Sequence, residues 1–347
     1  MRAYMFYGPG DLRLEDVEPG RPGPGEVAVE IRAAATCGTD LKSYRRGHPT
    51  LFPPGSLPAR FGHEFAGVVT EVGEGVTKFA PGQRVVAANS CPCGSCWACT
   101  IGRESLCENL QYLNGAFAEQ IVIPRAIVER NTYRIPDSLP FEAAAPLEPL
   151  ACVVHGVAEA GIGLGDVVVV HGAGPIGQMF IALTRLRGAT VYAADTSPGR
   201  LQQALDAGCA GVIDLSGLDT TAERAERVRA ATPTGRGADV SIECAGLPEV
   251  WEQAWQSLRP GGTAVMFGGP KAGSTFTIDA VAMHYQEYKV LGVYHHAPRY
   301  VATAVRLLSE GQFDGMTLCT EVRPLEALVD SLEDMARGVG SKYILRP

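Results

Sequence analysis

Residues Val167–Gly177 read VVVVHGAGPIG, a β-branched run followed by three glycines in the pattern G-x-G-x-x-G. The apolar run predicts a buried strand, and residues 175 to about 187 predict the helix that follows it. In this context the glycines permit a tight turn, close approach of a pyrophosphate and close helix–strand packing. The stretch therefore predicts a dinucleotide site at a helix N-terminus, where free N–H groups and the helix dipole favour an anion. Its predicted cofactor-binding residues are Gly172, Gly174, Pro175, Ile176 and Gly177.

Asp195 ends the second predicted strand, 23 residues after Gly172. A carboxylate at this point bonds the adenosine ribose hydroxyls and repels a 2′-phosphate, so the sequence predicts NAD rather than NADP. Arg200 follows closely and is kept as a cofactor-binding candidate, because an arginine accommodates the phosphate of NADP. In the alternative interpretation, Asp195 only caps the helix that begins near Pro198.

Strands and helices alternate on both sides of the glycine-rich turn. Apolar strands are predicted at 167–171, 190–194, 211–214, 238–243, 263–267 and 289–293, and further helices at 198–207, 220–231 and 248–258. Buried strands alternating with helices indicate a parallel sheet covered on both faces. The fold class is therefore α/β, with a doubly wound Rossmann domain predicted over residues 150–293.

The flanking segments have a different pattern. Residues 1–149 carry short strand signals at 26–33, 66–72, 84–88 and 119–123, separated by Pro-Gly turns. After residue 294 a helix is predicted at 301–310 and strands at 317–322 and 342–345. We expect a β-rich N-terminal domain over 1–149, to which residues 294–347 return.

Composition restricts the function. A chain of 347 residues exceeds the size of a typical single core, so two domains are expected. The net charge of −8 argues against a nucleic-acid partner or an anionic membrane surface. The sequence shows no 18-residue apolar run and no signal-peptide core, so we expect a cytoplasmic protein. Ten cysteines in such a protein indicate metal binding rather than disulfides.

Four of the cysteines are closely spaced as C-x₂-C-x₂-C-x₇-C: Cys93, Cys96, Cys99 and Cys107. Four thiolates close the tetrahedral shell of one zinc ion and leave no room for a substrate, so the predicted site, in a lobe over about 91–107, is structural. Cys91 falls outside this spacing and is expected to stay a free thiol.

Several motifs together resemble the zinc-containing medium-chain dehydrogenases over essentially the whole chain, and most closely their polyol and threonine dehydrogenase branch. The motifs are Cys37-Gly-Thr-Asp40, Gly62-His-Glu-Phe-Ala-Gly67, the four-cysteine lobe, Glu148-Pro-Leu150 and the glycine-rich turn. The resemblance implies a GroES-like catalytic domain, a Rossmann domain and two zinc ions per chain, one structural and one catalytic.

The resemblance also assigns roles. Cys37 and His63 are implied as catalytic zinc ligands, with Glu64 a third or exchangeable ligand and Glu148 a further one, directly or through water. Thr39 matches the hydroxyl that receives the proton of the alcohol. Many relatives complete this relay with a histidine, but Lys42 stands at that position, so the exit of the proton stays open between Lys42, water and another group such as His48.

Tyr44, His48, His295 and His296 are the predicted substrate residues, with Arg46 beside them. A polar set suits a polyol, cyclitol or sugar-like alcohol, although a solvated basic loop and a histidine surface would give the same pattern. The sequence thus predicts an NAD- and zinc-dependent dehydrogenase acting on a small alcohol or ketone. An L-threonine-type amino alcohol dehydrogenase and a non-enzymatic NAD(H)-binding sensor remain as alternatives. Such dehydrogenases are commonly homo-oligomers, and the sequence leaves dimer and tetramer open.

Overall fold

The computed structural model describes the whole chain, residues 1–347. The chain divides into two compact units, one formed by Met1–Ala151 with His296–Pro347 and the other by Cys152–His295. None of its helices combines the length and the apolar character that a membrane span requires.

Short strands dominate the first 160 residues. In chain order the elements are Arg2–Gly8 (β1), Asp11–Asp16 (β2), Val27–Ala35 (β3), Gly38–Arg46 (α1), Ala59–Arg60 (β4), Glu64–Val72 (β5), Arg84–Ala87 (β6), Ser90–Cys91 (β7), Trp97–Thr100 (α2), Gln111–Tyr112 (β8), Gln120–Ile123 (β9), Arg125–Arg130 (α3), Thr132–Arg134 (β10), Phe141–Ala144 (α4) and Leu147–Ala160 (α5).

Strands and helices then alternate. These elements are Val167–His171 (β11), Pro175–Leu186 (α6), Thr190–Asp195 (β12), Pro198–Asp206 (α7), Gly211–Asp214 (β13), Thr221–Ala231 (α8), Ala238–Glu243 (β14), Pro248–Gln256 (α9), Leu258–Met266 (β15), Ala280–Tyr285 (α10) and Lys289–Gly292 (β16). The C-terminal segment adds Pro298–Ser309 (α11), Glu321–Pro324 (β17), Leu328–Arg337 (α12) and Tyr343–Arg346 (β18).

The second unit contains a six-stranded parallel sheet in the order β13-β12-β11-β14-β15-β16. Residues Val168, Val169 and Val170 of β11 are fully buried at its centre, because helices cover both faces of a doubly wound sheet. The strand order reverses between β11 and β14, which places a crevice at the carboxyl ends of these two strands. The sheet confirms the predicted doubly wound α/β class.

The first unit is built around β3. This strand pairs with β5, β9 and β18 in a seven-stranded sheet whose main path is β10-β6-β5-β3-β18-β17. Phe6, Phe61 and Phe117 lie in the adjoining core with successive ring centroids 5.3 and 6.1 Å apart. The pairing of β18 with β3 brings the C-terminal segment into the same sheet as the N-terminal strands.

Two predicted elements differ from the structure. The helix predicted at 248–258 ends at Gln256, because Leu258 already pairs with Ala238 at the start of β15. The strand predicted at 317–322 is largely wrong. Residues Gly315–Leu318 form a 3₁₀ turn in which the Asp314 carboxylate accepts the Met316 N–H at 2.9 Å, and only Glu321–Pro324 is extended.

Candidate active site and metal centres

Cys37 is positioned by the first turn of α1. It is the N-cap of that helix, and the Asp40 carboxylate accepts its backbone N–H at 2.8 Å. The Thr39 N–H in turn donates to Cys37 Sγ at 3.4 Å. These contacts hold Cys37 at the start of the helix, and a cysteine sulfur is a ligand that zinc prefers.

His63 and Glu64 lie where β5 begins, and both are buried. His63 Nδ1 lies 3.0 Å from Asp40 Oδ1, so Nε2 is left as the nitrogen for a ligand. One donor atom each from Cys37, His63 and Glu64 lies within 4.8 Å of the others. A thiolate, an imidazole and a carboxylate at this spacing fit zinc, with a fourth position open as in a catalytic site.

Lys342 forms a buried ion pair with Glu64. Its Nζ lies 2.6 Å from Glu64 Oε2 and donates to the Thr36 carbonyl oxygen at 2.7 Å. Burial raises the pKa of Glu64 to about 7 against the opposing attraction of Lys342. Burial lowers the pKa of Lys342, but the charges of Glu64, Cys37 and Asp40 together with the hydrogen bond to Glu64 outweigh burial, so this pKa is raised. The pair supplies a buried countercharge beside the metal ligands.

Glu148 lies in the first turn of α5, nearly buried, but outside the converging group of Cys37, His63 and Glu64. Its Oε1 lies 3.9 Å from His296 Nε2, and the same nitrogen is 3.4 Å from Asn89 Oδ1. The negative charge of Glu148 also contributes to the raised pKa of Glu64. Glu148 and the buried His296 therefore form a second polar group close to the first.

The four lobe cysteines converge. Their sulfur atoms lie within 4.8 Å of one another, with Cys96 Sγ 3.5 Å from Cys99 Sγ and 3.8 Å from Cys107 Sγ. Thiolates bound at ~2.3 Å around one tetrahedral zinc are about 3.8 Å apart, so the arrangement fits a Cys₄ zinc site. Backbone N–H groups of Cys96 and Cys93 point at Cys93 Sγ and Cys107 Sγ at 3.3 and 3.2 Å. Cys91 is buried and lies outside this group.

The glycine-rich turn has the shape that a dinucleotide needs. Gly172 has a φ of +93°, and a Cβ added to Gly177 would lie 2.0 Å from the Gly172 carbonyl oxygen. A Cβ at Gly174 would meet nothing within 4 Å, so this side of the turn is open to a ligand. Gly174 is also the N-cap of α6, Pro175 and Ile176 begin that helix, and a glycine offers no side chain to its free N–H groups.

Asp195 connects this turn to the end of β12. Its carboxylate accepts the N–H groups of Ala173 and Ser197, each at 2.8 Å, and Arg200 Nη1 lies 3.8 Å away. The N-cap of α7 is Ser197, whose hydroxyl accepts the Arg200 N–H at 3.5 Å. The alternative interpretation of Asp195 as the cap of this helix is therefore wrong.

Among the predicted substrate residues, His295 and His296 offer ring nitrogen atoms within 4.8 Å of each other. Tyr44 packs against the core of the first unit, and Arg46 is exposed. Burial lowers the pKa of His48, and the charges of Lys42 and His63 lower it further, so His48 lies within electrostatic reach of His63. His295 has a φ of +57°, and its carbonyl oxygen lies 2.8 Å from His155 Nδ1.

Sequence reasoning missed two functional residues. Asp40 orients both Cys37 and His63, and its position three residues after an N-cap is the signal of a capping box. Lys342, the residue before β18, forms an ion pair with Glu64, which lies 278 residues earlier in the chain, and no local pattern indicates that contact.

Comparison with known proteins defines the class. The alcohol dehydrogenase GroES-like domain matches residues 23–137, and the zinc-binding dehydrogenase domain matches residues 175–310. Sorbitol dehydrogenase of Bacillus subtilis (strain 168) is 30% identical over 96% of this chain and 93% of its own length. D-xylulose reductase A of Aspergillus oryzae is 31% identical over 92% of this chain and 89% of its own length.

Comparison with solved structures leads to the same class of protein. The crystal structure of 2R,3R-butanediol dehydrogenase from Bacillus subtilis aligns with a TM-score of 0.87 at 30% identity, over 100% of this chain and 99% of that one. A zinc-binding dehydrogenase from Sinorhizobium meliloti 1021, bound to NADP, aligns with a TM-score of 0.89 at 31% identity and the same coverage. This chain belongs to the zinc-binding, medium-chain alcohol dehydrogenase family, and it is an oxidoreductase.

Proposed function

We propose that this chain transfers a hydride between NAD and a secondary alcohol of a polyol, cyclitol or sugar-like substrate. The convergence of Cys37, His63 and Glu64 within 4.8 Å carries the proposal, because it builds an open zinc site in a chain that also has a dinucleotide turn. The relatives named for sorbitol, D-xylulose and butanediol support an alcohol with more than one oxygen function.

Residues of the first unit would bind the metal ion and receive the proton that the alcohol loses. Zinc in this site would act as a Lewis acid toward the substrate oxygen, and the nicotinamide ring would carry the hydride. Asp40 keeps His63 in one tautomer, and Lys342 balances the buried charge of Glu64. We assign Thr39 as the hydroxyl that receives the alcohol proton, Glu148 as a further zinc ligand, directly or through water, and His296 as a polar contact for substrate hydroxyls.

Asp195 supports NAD as the cofactor, even though one solved relative binds NADP. Its buried carboxylate would repel a 2′-phosphate, whereas the half-exposed Arg200 alone would attract one. Asp195→Asn keeps an oxygen for the Ala173 N–H and removes the charge. The ratio of kcat/KM for NADP to that for NAD should rise about tenfold, or about 1.4 kcal/mol; an unchanged ratio would contradict the assignment.

A substrate panel tests the activity. Polyols, cyclitols, sugars and L-threonine are assayed with NAD, and zinc is measured on the same preparation. We expect turnover of a polyol-type alcohol and two zinc ions per chain. Cys37→Ser should abolish turnover while NADH binding survives. Cys319→Ser, a half-buried thiol outside both clusters, should retain turnover and serves as the control.

The panel also separates the alternatives. Preferential oxidation of L-threonine would assign the amino alcohol branch. NADH binding without oxidation of any alcohol, or turnover that persists in Cys37→Ser, would contradict catalysis at this zinc and leave a nucleotide-binding sensor as the better description.

We further propose that Met1–Ala151 with His296–Pro347 forms the catalytic domain and that Cys152–His295 forms the NAD-binding domain. A reducing compartment, the cytoplasm, suits a chain in which no disulfide joins any of the ten cysteines. We also infer a homo-oligomer. β16 is an edge strand, and Val281, Tyr285 and Tyr294 near it are exposed, which favours cover by a second copy. Light scattering would distinguish monomer, dimer and tetramer.

A further inference from the structure

Glu243 is a fully buried carboxylate that lies outside both metal centres. It ends β14, and its Oε1 accepts the N–H groups of Ala245 and Gly246, each at 2.7 Å. Its Oε2 accepts the N–H of Gly268 at 3.2 Å. Ala245 and Gly246 belong to the loop between β14 and α9, and Gly268 to the loop after β15. One side chain therefore joins two loops at the carboxyl end of the parallel sheet.

These loops border the dinucleotide turn. β14 is the neighbour of β11, and the sheet reverses its order between them, which is where doubly wound folds bind their ligand. A Cβ added to Gly172 would lie 3.4 Å from the Ala245 nitrogen, so the first loop packs directly against the first glycine of the turn. At Gly268 an added Cβ would lie 2.2 Å from the Gly246 nitrogen, so the two loops are also in close contact with each other.

We propose that Glu243 is a positioning residue of the dinucleotide site, whose carboxylate holds the two loops against the glycine-rich turn in the shape that binds NAD(H). The inference rests on the proposed NAD(H) binding and extends it to a residue that does not itself contact the cofactor. An ionised carboxylate is required because all three partners are N–H donors and a carboxylate only accepts. A buried N–H that loses its acceptor is costly, so a side chain that also donates cannot keep both loops in place.

Glu243→Gln tests this requirement because the two side chains have the same shape. The amide places an NH₂ group where at least one loop N–H needs an acceptor. We expect the dissociation constant of NADH, measured by its fluorescence on binding, to rise about tenfold. Glu252→Gln is the matched control, since its Oε1 accepts the Thr277 N–H at 2.8 Å at an exposed position of the same unit. It should leave the dissociation constant unchanged.

The pH dependence separates positioning from a general structural role. Burial raises the pKa of Glu243 to about 7, although the loop N–H groups lower it in part. His171 faces Glu243 across the β11–β14 pairing and Cys244 follows it. Burial lowers the pKa of His171 to about 3 and raises that of Cys244, so neither carries a charge near neutral pH. Glu249 and Glu252 on α9 are present in both wild type and variant, so a ratio of the two proteins does not report on them.

Protonated Glu243 resembles glutamine, with one donor and fewer acceptor sites. The ratio of the NADH dissociation constants of Glu243→Gln and wild type should therefore be largest near about pH 8.5 and approach one near about pH 5.5. Glu243→Asp keeps the charge and should bind NADH more tightly than Glu243→Gln, which provides a second variant if the first folds poorly.

Two outcomes would overturn the inference. The first is equal NADH affinity of wild type and Glu243→Gln, which together with a lower melting temperature would make Glu243 merely structural. The second is a ratio that does not change with pH. Because no readout uses turnover, a wild type that binds NADH but oxidises no alcohol would contradict the proposed reaction and not this inference. A wild type that binds neither NADH nor NADPH would overturn both.

Discussion

At the scale of the residue, the buried pair of Lys342 and Glu64 gives a direct prediction. Lys342→Met leaves the Glu64 carboxylate buried without its countercharge, and breaking such a pair costs about 3–5 kcal/mol. We expect the free energy of unfolding of the zinc-free protein, measured with urea, to fall by about that amount.

The double variant Lys342→Met/Glu64→Gln is the control for this prediction, because it removes both charges. It should recover most of the lost stability. Additive losses in the two single variants and the double variant would show that the two side chains do not interact.

The role of a single residue was predictable from the sequence only where that residue stands in a short motif. Cys37, His63 and Glu64 stand in short motifs, and the structure gathers them into one donor group. Asp40 lies within the first of these motifs, yet its role depends on the orientation of His63 and was missed. Lys342 has no local signal, because its contact forms only when β18 pairs with β3 at the other end of the chain.

At the scale of the element, the glycine-rich turn distinguishes two kinds of glycine. A Cβ at Gly174 meets nothing, whereas one at Gly177 would lie 2.0 Å from the Gly172 carbonyl oxygen. Gly174→Ala should therefore change the free energy of unfolding by less than about 1 kcal/mol, the scale of an N-cap change, and still weaken NADH binding at least about tenfold. Gly177→Ala should lower the free energy of unfolding by about 1–3 kcal/mol. Urea unfolding and NADH titration check both variants, and the reverse order of stabilities would contradict this description of the turn.

A second prediction concerns a buried polar chain between β11, β14 and α9. Gln253 donates to His171 Nδ1 at 2.6 Å, and His171 Nε2 lies 2.6 Å from Ser241 Oγ. Burial lowers the pKa of His171 from 6.5 to about 3, so the unfolded chain binds the proton more tightly than the folded one. This contribution to stability is complete above pH 6.5 and is lost as the pH falls toward 3, at up to about 1.4 kcal/mol per pH unit.

His171→Gln should flatten the loss of stability below about pH 6.5, because glutamine does not titrate in this range. The measurement is the free energy of unfolding in urea at several pH values, compared as slopes and not as absolute stabilities. His284→Gln, at an exposed position on α10, should keep the slope of the wild type. A slope unchanged in His171→Gln would contradict a neutral, buried histidine.

The position of a strand was predictable from the sequence where nearly all of its residues are buried. The strand β11 is an apolar run because it lies inside a parallel sheet, and its bounds follow from the sequence alone. The segment 317–322 reads TLCTEV, a mixed pattern with β-branched residues that favours a strand, but the Asp314 carboxylate stabilises a turn there instead. The amphipathic helix α12, which Gly338 ends in a left-handed conformation, was not predicted because no strand–helix alternation surrounds it.

At the scale of the whole molecule, the α/β class was predictable because buried strands alternate regularly with helices throughout residues 150–293. The strands of the first unit are shorter, and their order joins segments that lie far apart, such as β3 and β18. Such pairings depend on the complete sheet, so the short-strand and turn signals predicted a β-rich unit but not its strand order.

The two predicted zinc ions should therefore contribute to different properties of the molecule. Cys107→Ser removes one of four converging sulfurs in the lobe, where a closed site contributes folding energy. We expect it to lower zinc content by one ion per chain and to lower the melting temperature, while NADH binding is retained. Cys37→Ser should lower zinc content by the same amount with a much smaller change in melting temperature and complete loss of turnover. Metal analysis, thermal unfolding and NADH titration on both variants decide the matter, because equal thermal effects would contradict a division between a structural and a catalytic zinc.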